Sequence, residues 1–106
     1  MRTAKQEYIF NSLLSEGVTR QAAEFFLTLH ELFEVSEPLT SSSKKLAAVY
    51  GRSERTIRRY MNELTAKFNY IHKKPVWNND DPDKPYIEHT IYSRTYHAFD
   101  LLKDLT

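Results

Sequence analysis

The chain has 106 residues, of which 41% are hydrophobic and 13% aromatic, with a formal net charge of +1 and no cysteine. This length and composition predict one folded domain with a single core, and they exclude general disorder, disulfides, thiolate zinc sites and a cysteine nucleophile. Because the sequence contains no signal peptide and no apolar stretch of about 18 residues, we expect a cytoplasmic protein without a membrane partner.

The first third of the chain predicts two helices. Apolar residues at helical spacing over residues 3–15 predict the first helix. The second is expected to begin at Thr19, a residue type suited to the N-cap, and to continue to about Glu34. Its apolar side chains cover more than half of its circumference, which predicts burial on two sides. Residues 36–38 end it, and Leu39–Ser41 can form a short strand.

Residues 43–68 predict two further helices joined by a tight turn. The first ends at Gly51, because glycine takes a positive φ without steric cost. Ser53 begins the second as its N-cap, since the hydroxyl can accept from backbone amides of the next turn. An apolar stripe then recurs at helical spacing, formed by Ile57, Met61, Leu64 and Phe68.

The side of this second helix opposite the stripe is basic and polar. It carries Arg55, Arg59 and Asn62, flanked by Thr56 and Arg58. Residues 44–74 hold nine basic and two acidic side chains, a difference of +7, whereas residues 1–43 and 75–106 each hold three basic and six acidic ones. One interpretation of this basic side is an ordinary helix face in contact with water. Because like charges repel, however, this segregation becomes favourable only beside a polyanion such as a phosphate backbone.

Four residues at fixed spacing in this segment carry a family resemblance. They are Ala47, Gly51, Ser53 and Ile57, and the phrase SERTIRRYMNEL follows the turn. This pattern resembles the helix-turn-helix of bacterial DNA-binding proteins, most closely the winged variety of DeoR-type repressors. Winged modules of plasmid and phage replication, partition and conjugation proteins are also similar. The resemblance covers about a quarter of the chain.

The resemblance implies an α+β fold that is mainly α. We therefore expect one winged helix-turn-helix domain over residues 1–106, with the helix-turn-helix at residues 43–68 and the wing at residues 69–94. The domain has extra N-terminal and C-terminal helices. Its last helix is predicted over residues 96–105, which are amphipathic.

The predicted wing is a β-hairpin. The segments NYIHKKPVW and YIEHTIYSR are rich in β-branched and aromatic residues and flank the turn-forming NNDDPDKP. Strict alternation sets Ile87 on the face opposite Thr90 and Tyr92, but the register stays open, and Pro75 indicates an edge position or a bulge. Trp77 either packs at the base of the hairpin or touches sugar and backbone.

The tip of the hairpin is acidic. It carries Asp80, Asp81 and Asp83, with Lys84 as the one opposing charge. Carboxylates close to phosphates repel them, so we expect the shaft of the hairpin rather than its tip to lie near DNA. A solvated turn is the favoured interpretation of the tip, with a metal loop or a contact to a basic protein as alternatives.

We expect a sequence-specific protein that binds double-stranded DNA, with basic and amide side chains at base edges and lysines at phosphates. The predicted DNA-binding residues are Lys44, Lys45, Arg52, Ser53, Arg55, Thr56, Arg58, Arg59, Asn62, Lys73, Lys74 and Arg94. The expected role is a small transcriptional regulator that represses by occupying an operator. Alternatives are an origin-binding accessory protein in replication, partition or conjugation, and a protein-binding winged scaffold.

A domain of this size needs two half-sites for useful specificity, so a homodimer is expected. The candidate interface is the apolar surface of the first and last helices, formed by Tyr8, Phe10, Phe99 and Leu102. The alternative is that these residues only complete the core.

No feature of the sequence predicts catalysis. The four histidines lack metal-ligand spacing, and the chain has no glycine-rich phosphate loop. Tyr60 fits core packing better than a nucleophilic role. We therefore expect no enzymatic activity, no metal and no cofactor.

Overall fold

The computed structural model of the chain describes residues 2–80, 83 and 86–102, apart from the side chains of residues 88, 101 and 102. It is an α+β arrangement, mainly helical, as predicted. The elements are α1 (Ala4–Ser15), α2 (Arg20–Val35), β1 (Leu39–Ser41), α3 (Ser43–Tyr50), α4 (Glu54–Asn62), β2 (Ile71–Asn78), β3 (Tyr86–Arg94) and α5 (Tyr96–Leu102). The predicted extension of the last helix to residue 105 and the predicted tip residue Asp81 lie outside the described residues.

Helix α2 is the centre of the core. One side of α2 packs against α1, and another side packs against α4 and the turn that follows α4. The predicted burial on two sides is therefore confirmed. Its buried apolar side chains include Phe25, Phe26, Leu29 and Phe33. This packing fixes α4 through its own buried residues Ile57, Tyr60 and Met61.

The start of α2 differs from the expectation. Thr19 occupies the N-cap position, but its hydroxyl does not cap the helix. Instead the backbone N–H and the hydroxyl of Thr19 both donate to the carboxylate of Glu63, over 2.7 and 3.1 Å. A carboxylate at a helix N-terminus satisfies unpaired amides and complements the helix dipole. The segment after α4 is thereby tied to the first turn of α2.

The turn between α3 and α4 forms as the sequence predicts. Gly51 has φ +78°, in the left-handed region, and its N–H donates to the Ala47 carbonyl over 2.8 Å. Ser53 precedes α4, and its Oγ accepts from the Thr56 N–H over 3.2 Å. Both local signals are confirmed, and together they set the direction in which α4 leaves the turn.

Helix α4 is shorter than predicted. It ends at Asn62, and a π-helical turn follows over Glu63–Lys67. In this wider turn the Phe68 N–H donates to the Glu63 carbonyl over 3.0 Å, while the Thr65 hydroxyl donates to the Met61 carbonyl over 2.8 Å. The turn keeps Leu64 fully buried while the Glu63 carboxylate contacts Thr19. Apolar spacing alone did not distinguish this turn from a continuous α-helix.

The three strands form an antiparallel sheet in the order β1-β3-β2. Strand β2, which contains Pro75, is an edge strand, as predicted. The register pairs Pro75 with Thr90, then shifts between Val76 and Trp77, so that Trp77 pairs with Ile87. The shift brings Ile87 to the same face as Thr90 and corrects the predicted alternation, which set these two residues on opposite faces.

Candidate nucleic-acid interface

The outer side of α4 carries the predicted recognition residues. They line one shallow depression, and all except the half-buried Thr56 are exposed: Arg55, Thr56, Arg58, Arg59 and Asn62. The opposite side of the helix is buried against α2. The guanidinium groups of α4 therefore face outward, because the apolar stripe determines how the helix is rotated against the core.

Few contacts within the described part of the chain engage these side chains. Arg58 Nη1 lies 3.3 Å from Glu54 Oε2, one turn earlier, and both side chains are exposed. Such a pair stabilises a helix by only about 0.3 to 0.5 kcal/mol. The Arg59 guanidinium lies 5.6 Å from the Tyr60 ring centroid. Arg55 and Asn62 have no side-chain hydrogen bond or ion pair to another described residue.

A cleft of about 260 Å³ separates α4 from the hairpin. We call it the α4–hairpin cleft. Its helical wall includes Arg58, Met61 and Asn62, and its hairpin wall includes Lys73, Pro75 and Ile87. Two cations, Arg58 and Lys73, therefore line one concave surface from opposite sides. Arg58 also pairs with the exposed Glu54, whereas Lys73 forms no ion pair with a described carboxylate.

The other predicted basic residues are distributed unequally around this surface. Lys44 and Lys45 are exposed in the first turn of α3, beside Ser43, which lines the cleft. Arg52 is exposed in the turn before α4. Lys74 is exposed as well, but strand alternation directs it to the face of β2 opposite Lys73. The structure therefore brings Lys73, and not Lys74, together with the α4 side chains.

Arg94 is predicted to bind DNA, but the structure places it in a buried ion-pair cluster instead. Its side chain is only 9% exposed and is held by two carboxylates. Nε and Nη2 donate to Glu37 over 2.9 and 3.0 Å, and Nη1 lies 3.3 Å from Glu34 Oε1. The Arg94 backbone N–H also donates to Glu37. Arg94 therefore joins the end of β3 to the segment between α2 and β1, and it is not available to a partner.

His30 completes this buried cluster. Its Nδ1 lies 3.2 Å from Arg94 Nη1, and its Nε2 lies 3.3 Å from Glu34 Oε1. Burial, followed by the charge of Arg94, lowers the pKa of His30 below its ordinary value of 6.5. The hydrogen bond from the Arg94 side chain lowers the pKa of the Glu37 carboxyl. We call these four residues, His30, Glu34, Glu37 and Arg94, the Arg94 cluster.

A signal for the Arg94 cluster exists in the sequence but needs the strand pairing. Leu39 pairs with Tyr92 in the antiparallel register of β1 and β3. Continuing that register by two residues sets Glu37 opposite Arg94. The short strand at Leu39–Ser41 was predicted correctly, but its partner was not assigned, so the acidic neighbours of Arg94 were missed.

The predicted dimer surface is only partly exposed. Phe10 is buried, and the Arg2 guanidinium lies 3.8 Å above its ring, so this residue belongs to the core. Tyr8 and Phe99 remain substantially exposed. The side chain of Leu102 lies outside the described part of the structure. Trp77 is 52% exposed near the far end of β2, which excludes packing at the base of the hairpin.

Within the described ranges, no group of three or more His, Asp or Glu residues could hold a metal ion. No helix in these ranges combines the length and the apolar character needed to cross a bilayer. Comparison of the chain with protein-family models, curated proteins and solved structures finds no match. The interpretation of the α4 surface therefore rests on its own geometry and charge.

Proposed function

We propose that this chain is a sequence-specific protein that binds double-stranded DNA through a winged helix-turn-helix, with α4 in the major groove. The observation that carries the proposal is the exposed row of Arg55, Arg58, Arg59 and Asn62 on a helix fixed from behind by the core. Helix α4 has nine residues. Such a helix is about 13 Å long, and its diameter with side chains, about 10 to 12 Å, matches the major groove, which is about 12 Å wide.

The side-chain types support base reading by α4. Arginine can donate two parallel hydrogen bonds to O6 and N7 of guanine, and asparagine can pair with N6 and N7 of adenine. Arg55, Arg59 and Asn62 are suited to these roles, since no described carboxylate occupies them. Lys44, Lys45 and Arg52 are suited to flanking phosphates, which would fix the position of α4 along the duplex.

In this proposal the protein is a small dimeric regulator that represses transcription by occupying an operator. Two copies would read two half-sites, with Tyr8 and Phe99 as the exposed residues of the predicted contact surface. Sedimentation of the protein alone and with duplex DNA measures the stoichiometry. Footprinting on the upstream DNA of its own gene and on nearby repeat arrays separates operator binding from the marking of a replication or transfer origin.

Selection of bound sequences from a random duplex pool tests the proposal most directly. We expect a consensus with two symmetric half-sites about one helical turn apart. Affinity for duplex DNA should fall steeply between about 50 and 200 mM salt, because bound cations displace counterions from phosphates. Absence of duplex binding at low salt would contradict DNA binding and favour a scaffold whose basic helix meets an acidic protein.

A further inference from the structure

The inner end of the α4–hairpin cleft carries three hydroxyl groups, from Ser43, Thr90 and Tyr92. The Tyr92 hydroxyl forms hydrogen bonds with the side chains of Thr90 and Ser43. Tyr92 is almost fully buried, and this burial raises the pKa of its hydroxyl above 10.0, so the group stays neutral and keeps its proton. Three hydroxyls carry three protons, and two hydrogen bonds use two of them. One O–H proton therefore remains to donate to a further acceptor.

Cationic side chains and an amide lie beside these hydroxyls. Lys73 pairs with Tyr92 across the ladder of β2 and β3, so the two side chains lie on the same face of the sheet. Arg58 and Asn62, one helical turn apart, line the facing wall formed by α4. Lys73 forms no ion pair with a described carboxylate, and the pair of Arg58 with Glu54 is exposed and weak. An anion in the cleft would offset the mutual repulsion of the two cations.

The remaining walls of the cleft are apolar. Met61 lines it from α4, and Pro75 and Ile87 line it from the hairpin. Ile87 is 49% exposed, so about half of this aliphatic side chain stays in contact with water. The cleft volume of about 260 Å³ lies just below the range of about 300 to 1,000 Å³ that is typical of sites for drug-sized ligands. The cleft therefore suits a smaller molecule that has one apolar side.

Resting on the proposed function, we propose that the α4–hairpin cleft binds a small organic anion and that this ligand releases the protein from DNA. The anionic group, a carboxylate or a phosphate ester, lies between Arg58 and Lys73 and accepts a hydrogen bond from the hydroxyl cluster. The apolar body of the ligand lies against Pro75 and Ile87. Charge-assisted hydrogen bonds fix the orientation of such a ligand, and the apolar wall removes its body from water.

The recognition surface and the cleft share two side chains. Arg58 and Asn62 line the depression on the outer side of α4 as well as the cleft. Side chains turned toward an anion in the cleft cannot at the same time contact a base or a phosphate of the duplex. Binding of the anion and binding of DNA therefore oppose each other, and by linkage each lowers the affinity for the other by the same factor.

Titration of the protein alone with two anions, benzoate and phenyl phosphate, tests the site without DNA. In nuclear magnetic resonance spectra we expect both anions to change the amide resonances of residues that line the cleft, whereas the neutral benzyl alcohol leaves them nearly unchanged. The anion that binds more tightly identifies the carboxylate or the phosphate ester as the preferred group. If neither anion changes these resonances, the proposed site is wrong.

Lys73 and Lys74 form a matched pair for locating the site. They are neighbours on β2 and both are exposed, but strand alternation sets them on opposite faces. Lys73→Met should weaken the binding of either anion by about tenfold or more, because it removes a charge-assisted hydrogen bond. Lys74→Met should leave anion binding unchanged, since Lys74 does not line the cleft. Equal losses in the two variants would indicate attraction to the overall positive charge of β2 and would overturn the assignment to the cleft.

Fluorescence anisotropy of labelled duplex DNA, at constant ionic strength, separates the anion site from the proposed function. We expect each anion to lower the affinity for the duplex, and Lys73→Met to reduce this effect. If the duplex and the anions bind without affecting each other, release from DNA is wrong and DNA binding stands. If the duplex binds but neither anion does, the anion site alone is wrong. If the anions bind but no duplex binds even at low salt, the proposed function is wrong, and release from DNA with it.

Discussion

The arginines of α4 and Arg94 show the same side chain in two different environments. Arg55 and Arg59 are exposed on a helix whose neighbours include few acids, and no described carboxylate contacts them. Arg94 is nearly buried and is held by Glu37 and Glu34. The position of carboxylates in the folded chain, rather than the count of basic residues, therefore decides which arginines remain available to a partner.

This difference predicts that stability and binding respond to different substitutions. Removing one member of a buried ion pair leaves an uncompensated charge, which destabilises the fold strongly. Removing an exposed arginine changes the free energy of unfolding by less than about 0.5 kcal/mol. The effects on DNA affinity should follow the reverse order.

Replacement of Arg94 has the largest expected effect on stability. Arg94→Met removes the cation between Glu37 and Glu34 and keeps most of the side-chain volume. We expect the free energy of unfolding to fall by about 2 to 4 kcal/mol, the lower part of this range being favoured by the partial exposure of both glutamates. Urea unfolding followed by circular dichroism measures the change. Folded Arg94→Met protein should retain wild-type DNA affinity. A loss of affinity without a loss of stability would contradict the assignment of Arg94 to the fold rather than to DNA binding.

Replacement of Arg59 should show the opposite pattern. Arg59→Ala removes an exposed guanidinium from the depression on α4. If this group reads a base, specific binding weakens by about 1 to 3 kcal/mol and the preference at one position relaxes. Anisotropy titrations with the selected consensus and with single-base variants measure both effects. Unchanged affinity and unchanged base preference would show that Arg59 does not read a base.

Local signals in the sequence predicted most of the secondary structure. Gly51 and Ser53 act within one turn of their own positions, so their effect on the α3–α4 connection could be inferred directly. The hairpin shift at Val76 and Trp77 and the pairing of Arg94 with Glu37 depend on contacts between distant segments. Nothing in the residues next to Arg94 indicates those contacts.

Glu63, like Arg94, stabilises the fold through contacts with a distant segment. Comparing its replacement with that of Glu54 tests the same difference between structural and exposed charges among the acidic residues. Glu63→Ala removes both acceptors for Thr19 at the start of α2. Because the site is largely exposed, we expect a loss of about 1 kcal/mol in the free energy of unfolding. Glu54→Ala is the matched control, because the one ion pair that Glu54 forms within the described part of the chain is with the exposed Arg58. Its loss should be about 0.3 to 0.5 kcal/mol. Equal losses in the two variants would argue against the role of Glu63 as a cap.

The smallest predicted effect is a dependence of stability on pH that comes from the Arg94 cluster and not from α4. Burial, and next the charge of Arg94, lower the pKa of His30 in the folded protein below 6.5, while Glu34 and Glu31 act in the opposite direction. Between the pKa of folded His30 and about pH 6.5, His30 is therefore protonated in the unfolded chain but neutral in the folded chain. Stability is fully present above about pH 6.5 and is lost as the pH falls toward the pKa of folded His30.

The Glu37 carboxyl adds a second step with the same sign. The hydrogen bond from the Arg94 side chain lowers its pKa below 4.5, so its stabilising contribution is lost as the pH falls through the acid range. Urea unfolding at about pH 7.5, 5.5 and 4 measures both steps. His30→Gln should flatten the first step and Arg94→Met the second, whereas Arg59→Ala should leave the whole profile unchanged, because its guanidinium contacts neither group. A wild-type profile that is flat across this range would show that the Arg94 cluster is not coupled to folding.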